Sequence, residues 1–560
     1  MRCMSVWKVC RIAAAVVVCV AFGYSAQAAH AVGCQVAHHG PPSDADKALA
    51  TADYAKAEDL YRKALAASPG NADLTAGLVH ALLRDQKVND AAAAVSGALT
   101  AAANQAVLLT LRGEVEYRQG EPWAAAQTAT ASLKLDPCNP RTYLLIARLD
   151  TLNSLYAAAR TNIESAHKLD TDDPEIRFGW IMTLPMKQRV TELEAYLAEP
   201  RGEDADETRQ LKQSLERWKK IAAGPAKQCH IVSPTTATQI PFVYLMRDGT
   251  HVEAFGLDVK LNNRSSRLEI DTGAGGIVVS GAVAKRAGLT SFAEDELGGI
   301  GDKGFKKGYI AYADSIKIGG LEFQNCEVQV DQQMGMDVEG LIGMDVFSSY
   351  LVTLDFPMRQ LSLGPLPPRP GAAADGQNLN TTDDTDDSEM ADEAGKQSAD
   401  ANAGASKPAP HGPYDRYIAP EMKDYTKVYR EGHDLIFPVT LNNSKVRLFI
   451  MDTGSWTTVI SPEAAREVTK VHGDAPIRVT GVSGDVEKVS SADEIVFRFA
   501  NVEQKDENVI ALDTATISKS TDMEISGLLG ATMLRQLVIH IDYRDGLVKL
   551  DYDPKHGYHY

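Results

Sequence analysis

The 560-residue sequence predicts a multidomain protein: an α-helical repeat solenoid followed by two all-β domains that are copies of one another. Three observations predict it. From Asp44 to the mid-200s, Ala and Leu recur with helical periodicity and marker residues return every 34 positions. From about Gln239, short runs of Val, Ile, Leu and Phe between Gly, Asn and Asp replace that pattern, the texture of strands and turns. Within this second region "LEIDTGAGGIVVS", Leu268 to Ser280, returns as "LFIMDTGSWTTVIS", Leu448 to Ser461. Such a length suggests roughly three or four domains.

Residues 1–28 read as a secretory signal: Arg2, Lys8 and Arg11 precede an apolar run, and Ala26 and Ala28 supply a small-x-small cleavage pattern. The run is shorter than the ~20 residues a spanning helix needs, although a retained anchor is the alternative. Ala31 to Cys34 weakly resembles a lipoprotein processing box, so membrane attachment is expected only if Cys34 is lipidated. A net charge of -18 and a pI near 5.2 repel nucleic-acid backbones and anionic membranes, and no nucleic-acid partner is expected. Beyond the signal, Cys34, Cys138, Cys229 and Cys326 could form one or two bridges in an exported protein, with three full pairings open. They lack the close CxxC pairs of a zinc site, and the histidines show no ligand-spaced cluster, so no metal is expected.

The helical domain is placed at 44–225. Asn71, Gln105, Asn139 and Asp173 keep the 34-residue step, as do Ala57, Ala91, Ala125 and Ala159, and Ala64, Ala98, Ser132 and Ala166. This unit of two antiparallel helices resembles the tetratricopeptide repeat (TPR) over roughly residues 45–200. Pro69 and Pro137 occupy the family's helix-ending position, and Ala103 and Thr171 depart from it. Gly113 fits the small position of the first helix, where Val79 and Ala147 replace glycine. The resemblance implies a concave surface suited to an extended peptide or a partner protein.

The first β domain is placed at 232–364 and the second at 414–556. Between them, residues 365–413 are rich in Pro, Ala, Asp and Ser and poor in large apolar residues, which predicts a disordered acidic linker. Each copy has a strand, a Leu-Asn-Asn turn (Leu261 to Asn263, Leu441 to Asn443) and an Asp-Thr-Gly. Asparagine tolerates positive φ, so the Asn pairs favour hairpins. A glycine-bearing stretch follows (Gly298, Gly299 and Gly301; Gly481 and Gly484), then "GLIGMDVF" or "GLLGATML", then a strand pair. Ser280 and Ser461 read as helix N-caps rather than nucleophiles.

An Asp-Thr-Gly after an apolar strand, with two apolar residues and Gly downstream (Leu341, Ile342 and Gly343; Leu528, Leu529 and Gly530), resembles one half of a retropepsin-like aspartic protease. Two halves in one chain resemble the pepsin-like enzymes. The resemblance implies an aspartic endopeptidase with catalytic Asp271 and Asp452, acting on peptide or protein substrates without a cofactor. Hydrolysis by two close carboxyls has a physical basis: both cannot ionise cheaply, so they share a proton, one activating water and the other protonating the substrate carbonyl. The resemblance also implies that Thr272 and Thr453 cross-link the two loops, that Gly273 and Gly454 allow the tight turn, and that the glycine stretches form flaps.

Ala274 follows the first motif and Ser455 the second. A hydroxyl there is expected to favour the ionised carboxylate, and the asymmetric pair to work nearer neutral pH than a double-serine enzyme. Two pairings are open: Asp271 with Asp452 in one chain, which is favoured, or each aspartate with its counterpart in a second chain. The competing reading is a non-catalytic exported scaffold whose β domains hold peptides without cutting them. Signal style and resemblance together suggest a bacterial, periplasmic setting, with lipid-anchored or secreted as the alternatives.

Overall fold

The computed structural model describes residues 33–37, 39–102, 105–224, 229–233, 237–247, 251–334, 339–369, 415–473, 475 and 477–552. The signal segment and most of the acidic tract, 370–413, lie outside the described residues.

The 34-residue step is a helix-pair step. After α1 (Asp44–Ala50) and α2 (Tyr54–Ala67) come α3 (Ala72–Arg84), α4 (Val88–Ala101), α5 (Ala106–Arg118), α6 (Pro122–Leu135), α7 (Pro140–Leu152), α8 (Tyr156–Leu169), α9 (Pro174–Met182) and α10 (Met186–Tyr196). The markers Asn71, Asn139 and Asp173 are N-caps whose side chains accept the first free N–H groups; Gln105 holds the same position without a side-chain cap bond. Ala57, Ala91, Ala125 and Ala159 are buried where paired helices approach. Gly113 shows why the small position matters, since a Cβ there would lie 2.6 Å from a Leu145 methyl.

The face shared by the first helices of successive repeats is ionic and paired with itself. Arg141 bonds Glu114, Asp173 and Glu175, Arg148 bonds Glu175, and His80 bonds Glu114. The chain after α10 then returns to the first repeats: Gly202 N–H donates to Ala50, and Tyr54 and Arg84 both donate to the Gly202 carbonyl. These charges and the Gly202 segment occupy part of that face.

A further helix, α11 (Ala205–Ala223), leaves the stack for the first β domain, where Arg209, Arg217 and Lys220 bond Glu296, Glu327 and the Phe292 carbonyl. The repeats pack on the second β domain, with Tyr117, Leu145, Leu149 and Leu152 in one core cluster with Ile436, Leu448, Ile525 and Leu528. This packing explains a difference between the copies. Strand Lys445–Met451 is buried on both faces at its end, whereas Arg264–Ile270 alternates buried and open residues.

Each β domain is built on one large sheet, and the two sheets are alike. Strand Gly340–Ile342 lies between Arg264–Ile270, to which it is parallel, and Ile277–Ser280, to which it is antiparallel. Gly527–Leu529 sits in the same way between Lys445–Met451 and Val459–Ile460. Both Asn-Asn turns have positive φ, and Asn262 and Asn442 make equivalent side-chain bonds. Ser280 and Ser461 cap short helices, as expected.

A third, six-stranded sheet joins the domains: Tyr350–Asp355 from the first copy pairs antiparallel with Leu537–Asp542 from the second, Val352 opposite Ile541. The first domain runs past residue 364, because Pro365 pairs with Tyr350 and Arg369 bonds the buried Asp545. The cysteines pair as Cys34–Cys138 and Cys229–Cys326. Cys34, the residue of the lipoprotein-like box, has its sulfur in the first of these bonds. No helix among the described residues is long and apolar enough to cross a membrane.

Candidate active site

The inserted strands place the aspartates. The Asp271 N–H donates to the Ile342 carbonyl (3.1 Å) and the Asp452 N–H to the Leu529 carbonyl (3.0 Å), so each downstream apolar pair fixes the height of one loop. The following glycine lets the loop sit close: a Cβ at Gly343 would lie 2.2 Å from the Ala274 oxygen, and one at Gly530 2.2 Å from the Thr457 oxygen.

The two loops meet tip to tip. Thr272 N–H donates to Thr453 Oγ1 and Thr453 N–H to Thr272 Oγ1, both at 3.1 Å. Each hydroxyl in turn donates across the pseudo-twofold, Thr272 to the Met451 carbonyl (2.7 Å) and Thr453 to the Ile270 carbonyl (2.9 Å). Both threonines are buried, so these four bonds are shielded from water.

Asp271 and Asp452 are brought close together within one chain, each buried against the glycine turn of the other loop. Gly273 and Gly454 make this approach feasible, because a Cβ on either would lie within 3 Å of the opposite carboxyl carbon. Burial, followed by the charge of Asp452, raises Asp271 well above the usual carboxylate range. Burial raises Asp452 too, but N–H groups of Ser455 and Gly454, each 2.9 Å away, hold its charge, whereas Asp271 receives only the Gly273 N–H. The shared proton belongs on Asp271, leaving Asp452 ionised. The Ser455 contribution comes from its main chain; the hydroxyl expected to do this donates instead to the Thr457 carbonyl (3.0 Å).

The glycine stretches meet above the cleft. Gly299 N–H donates to the buried Ser483 hydroxyl (3.1 Å), Ser483 N–H to the Ile300 carbonyl (2.8 Å), and Lys303 N–H to the Ser483 carbonyl (2.9 Å). Gly301 has φ +131°, and a Cβ there would meet Ser483 main chain at 2.4 Å. Gly298, Gly299 and Gly481 line the same cleft as the dyad; Gly301 and Gly484 serve the flap-to-flap contact instead. Ser483, which makes that contact, is not distinguishable in sequence from any other loop serine.

Two residues of the cleft escaped the sequence reading. His433 and Asp434 enter the cleft from a turn of the second domain, with His433 Nε2 3.2 Å from the Gly273 oxygen. Burial, helped by the charges of Asp452 and Asp345, pushes Asp434 up to about 6, against the opposing charge of His433. Only their place before the second motif strand could have drawn attention to them. The repeat domain, whose surface is expected to suit a peptide or a partner protein, borders the same cleft. The cleft, of ≈ 2710 Å³, is walled by turn tips carrying Gln86, Asn89, Gln119 and Glu121 and by Arg209 of α11, as well as by the β domains.

Comparison with known proteins agrees with this architecture. Residues 48–115 match a tetratricopeptide repeat family model, residues 257–349 a gag-polyprotein putative aspartyl protease model, and residues 437–533 an aspartyl protease model. A solved structure, a retropepsin-like aspartic protease from Rickettsia conorii, aligns at 22% identity over 23% of this chain and 90% of that chain. Its TM-score is 0.18, too low to bear on the architecture. No curated protein matches the chain. The chain thus carries a region similar to tetratricopeptide repeats followed by two segments similar to aspartyl protease domains.

Proposed function

We propose that the protein is an exported aspartic endopeptidase whose single catalytic dyad is Asp271 and Asp452. The observation that carries this reading is their close approach across the two loops, with unequal N–H support, in an open cleft beneath paired flaps. Asp452, ionised, takes a proton from a water molecule as its oxygen attacks the scissile carbonyl. Asp271 donates its proton to the carbonyl oxygen, giving a neutral tetrahedral diol. On collapse Asp452 gives its proton to the amine nitrogen as the C–N bond breaks, and Asp271 takes one from a diol hydroxyl, which restores the starting pair. The flaps exclude bulk water, and the threonine lattice keeps the carboxyls in register.

A scaffold that only holds peptides would tolerate separated aspartates or a filled cleft, and neither feature is present. Export is supported by the basic, apolar and small-residue segments at 1–28 and by the two cystines, which suit an oxidising compartment such as the periplasm. The repeat domain is assigned to substrate contact, because its turn tips form one wall of the cleft.

The test is incubation of purified protein, lacking residues 1–28, with a proteome-derived peptide mixture from pH 3 to 8, products being identified by mass spectrometry. New internal termini in wild type support the reading. Their absence at every pH, from protein shown to be folded, sinks it.

A further inference from the structure

The duplication supplies an internal comparison of the two sides of the cleft. Strand register equates Glu269 with Ile450, since each faces the inserted strand, at Leu341 and Leu528. It also equates Val278 with Val459, which oppose Leu341 and Leu528 on the other side. Gln329 corresponds to Ile510, each paired with that valine. Two residues further along, Asp331 corresponds to Leu512. All ten residues line the cleft. The same wall is Glu, Leu, Val, Gln and Asp in the first domain, and Ile, Leu, Val, Ile and Leu in the second.

Charge follows the same division. Among the described residues that line the cleft, the first domain supplies the carboxylates of Glu269, Asp271, Glu296 and Asp331 and no Lys, Arg or His. The second supplies Arg447, Arg466, Arg478, Lys488, Lys519 and Arg535 among its acids. Glu296 is engaged by Arg209 and Asp331 accepts the Gln333 N–H; Glu269 stands two residues before Asp271 on the motif strand and lines the cleft.

We infer that the side pocket of the first domain, walled by Glu269, Gln329 and Asp331, selects a basic side chain beside the scissile bond, while the second domain takes an apolar one. The inference rests on the protease reading for its place in catalysis, but the preference is a property of binding and is tested separately. An ammonium or guanidinium group there meets carboxylates at short range, whereas an acidic side chain meets like charge.

Two arms test it on the full chain without residues 1–28. In the first, cleavage-site profiles from the peptide mixture are compared for wild type and Glu269→Gln, which keeps the shape. Lys and Arg are expected to be enriched on one side of the cut and aliphatic residues on the other, with the basic enrichment falling severalfold in E269Q. Cleavage with no basic enrichment, or a profile that E269Q leaves unchanged, overturns this inference and leaves the protease reading standing. In the second arm, the Asp452→Asn protein is titrated by fluorescence anisotropy with labelled twelve-residue peptides in which Lys or Glu alternates with Leu. The Lys peptide is expected to bind at least about tenfold more tightly, a difference of about 1.4 kcal/mol, and adding E269Q should shrink that ratio. Equal binding overturns the inference even if wild type cuts nothing; a retained ratio with no cutting upholds the preference while removing the protease reading.

Discussion

Asp452 accepts two main-chain N–H groups where Asp271 accepts one, although the two lie in loops that are copies of one another. The difference arises from the turn after each motif, where Ser455 N–H points at the carboxylate while Ala274 N–H turns back to the Asp271 carbonyl. It decides which carboxyl keeps the shared proton.

The pH–rate profile should follow from it. Activity requires one proton on the pair: acid protonates Asp452 and base removes the proton from Asp271. Both groups are raised above the ordinary range, so the active window moves upward and should extend well above pH 4. A profile of kcat/KM confined below about pH 4 would refute this.

Stability should fall between mildly acidic and neutral pH. Burial pushes Asp150, Glu431 and Asp542 up to about 7 and Asp434 up to about 6. Raised acids bind protons in the folded chain that the unfolded chain releases above about pH 4, so folding loses free energy as pH rises from about 4 to 7. The repeats act in the opposite direction at low pH. Glu114, drawn down to about 2 against burial by Arg141 and His80, loses stabilising pairing as pH falls through that value. Calorimetry should give a higher Tm near pH 5 than near pH 8; the reverse order would count against these buried acids being protonated.

The threonine lattice should tie stability to turnover. Thr272→Val or Thr453→Val removes a buried hydroxyl that both donates and accepts, leaving a main-chain N–H and a carbonyl unmatched. Each should cost about 2–4 kcal/mol in urea unfolding and lower kcat at least tenfold, with Thr→Ser close to wild type. Equal kcat in the valine and serine variants would show that the lattice does not position the dyad.

Tethering of the flap strand to the repeats gives a different kind of outcome. Arg209 forks onto both oxygens of Glu296 on the strand that leads into the first flap. Arg209 is exposed, so Arg209→Ala should leave global stability close to wild type. Amide exchange over residues 291–305 should nonetheless quicken severalfold, and unchanged exchange there would mean that α11 does not restrain the flap.

Much of this was legible because local rules and tertiary demands coincide. The N-caps Asn71, Asn139 and Asp173 mark helix starts in sequence as they do in space. The apolar pair and glycine after each motif encode a strand that only makes sense beneath a tight loop. Contacts that join distant segments left no such trace. Arg209 with Glu296, Ser483 with Gly299, and His433 beside Gly273 are single residues from separate elements, and no period or spacing links them. The Ser455 expectation illustrates the same limit. The residue type suggested a hydroxyl bond, but loop geometry aims the N–H at the carboxylate instead.

The most direct measurement of the central claim is cleavage of one peptide mixture by Asp271→Asn and by Asp452→Asn, each matched to wild type for folding by circular dichroism. A single dyad within one chain predicts that either substitution alone lowers kcat/KM by at least about 10²–10⁴-fold, because the acid and the base are these two carboxyls. If wild type cuts and one substitution leaves activity near wild type, the dyad is not shared between these two aspartates, and the catalytic account fails.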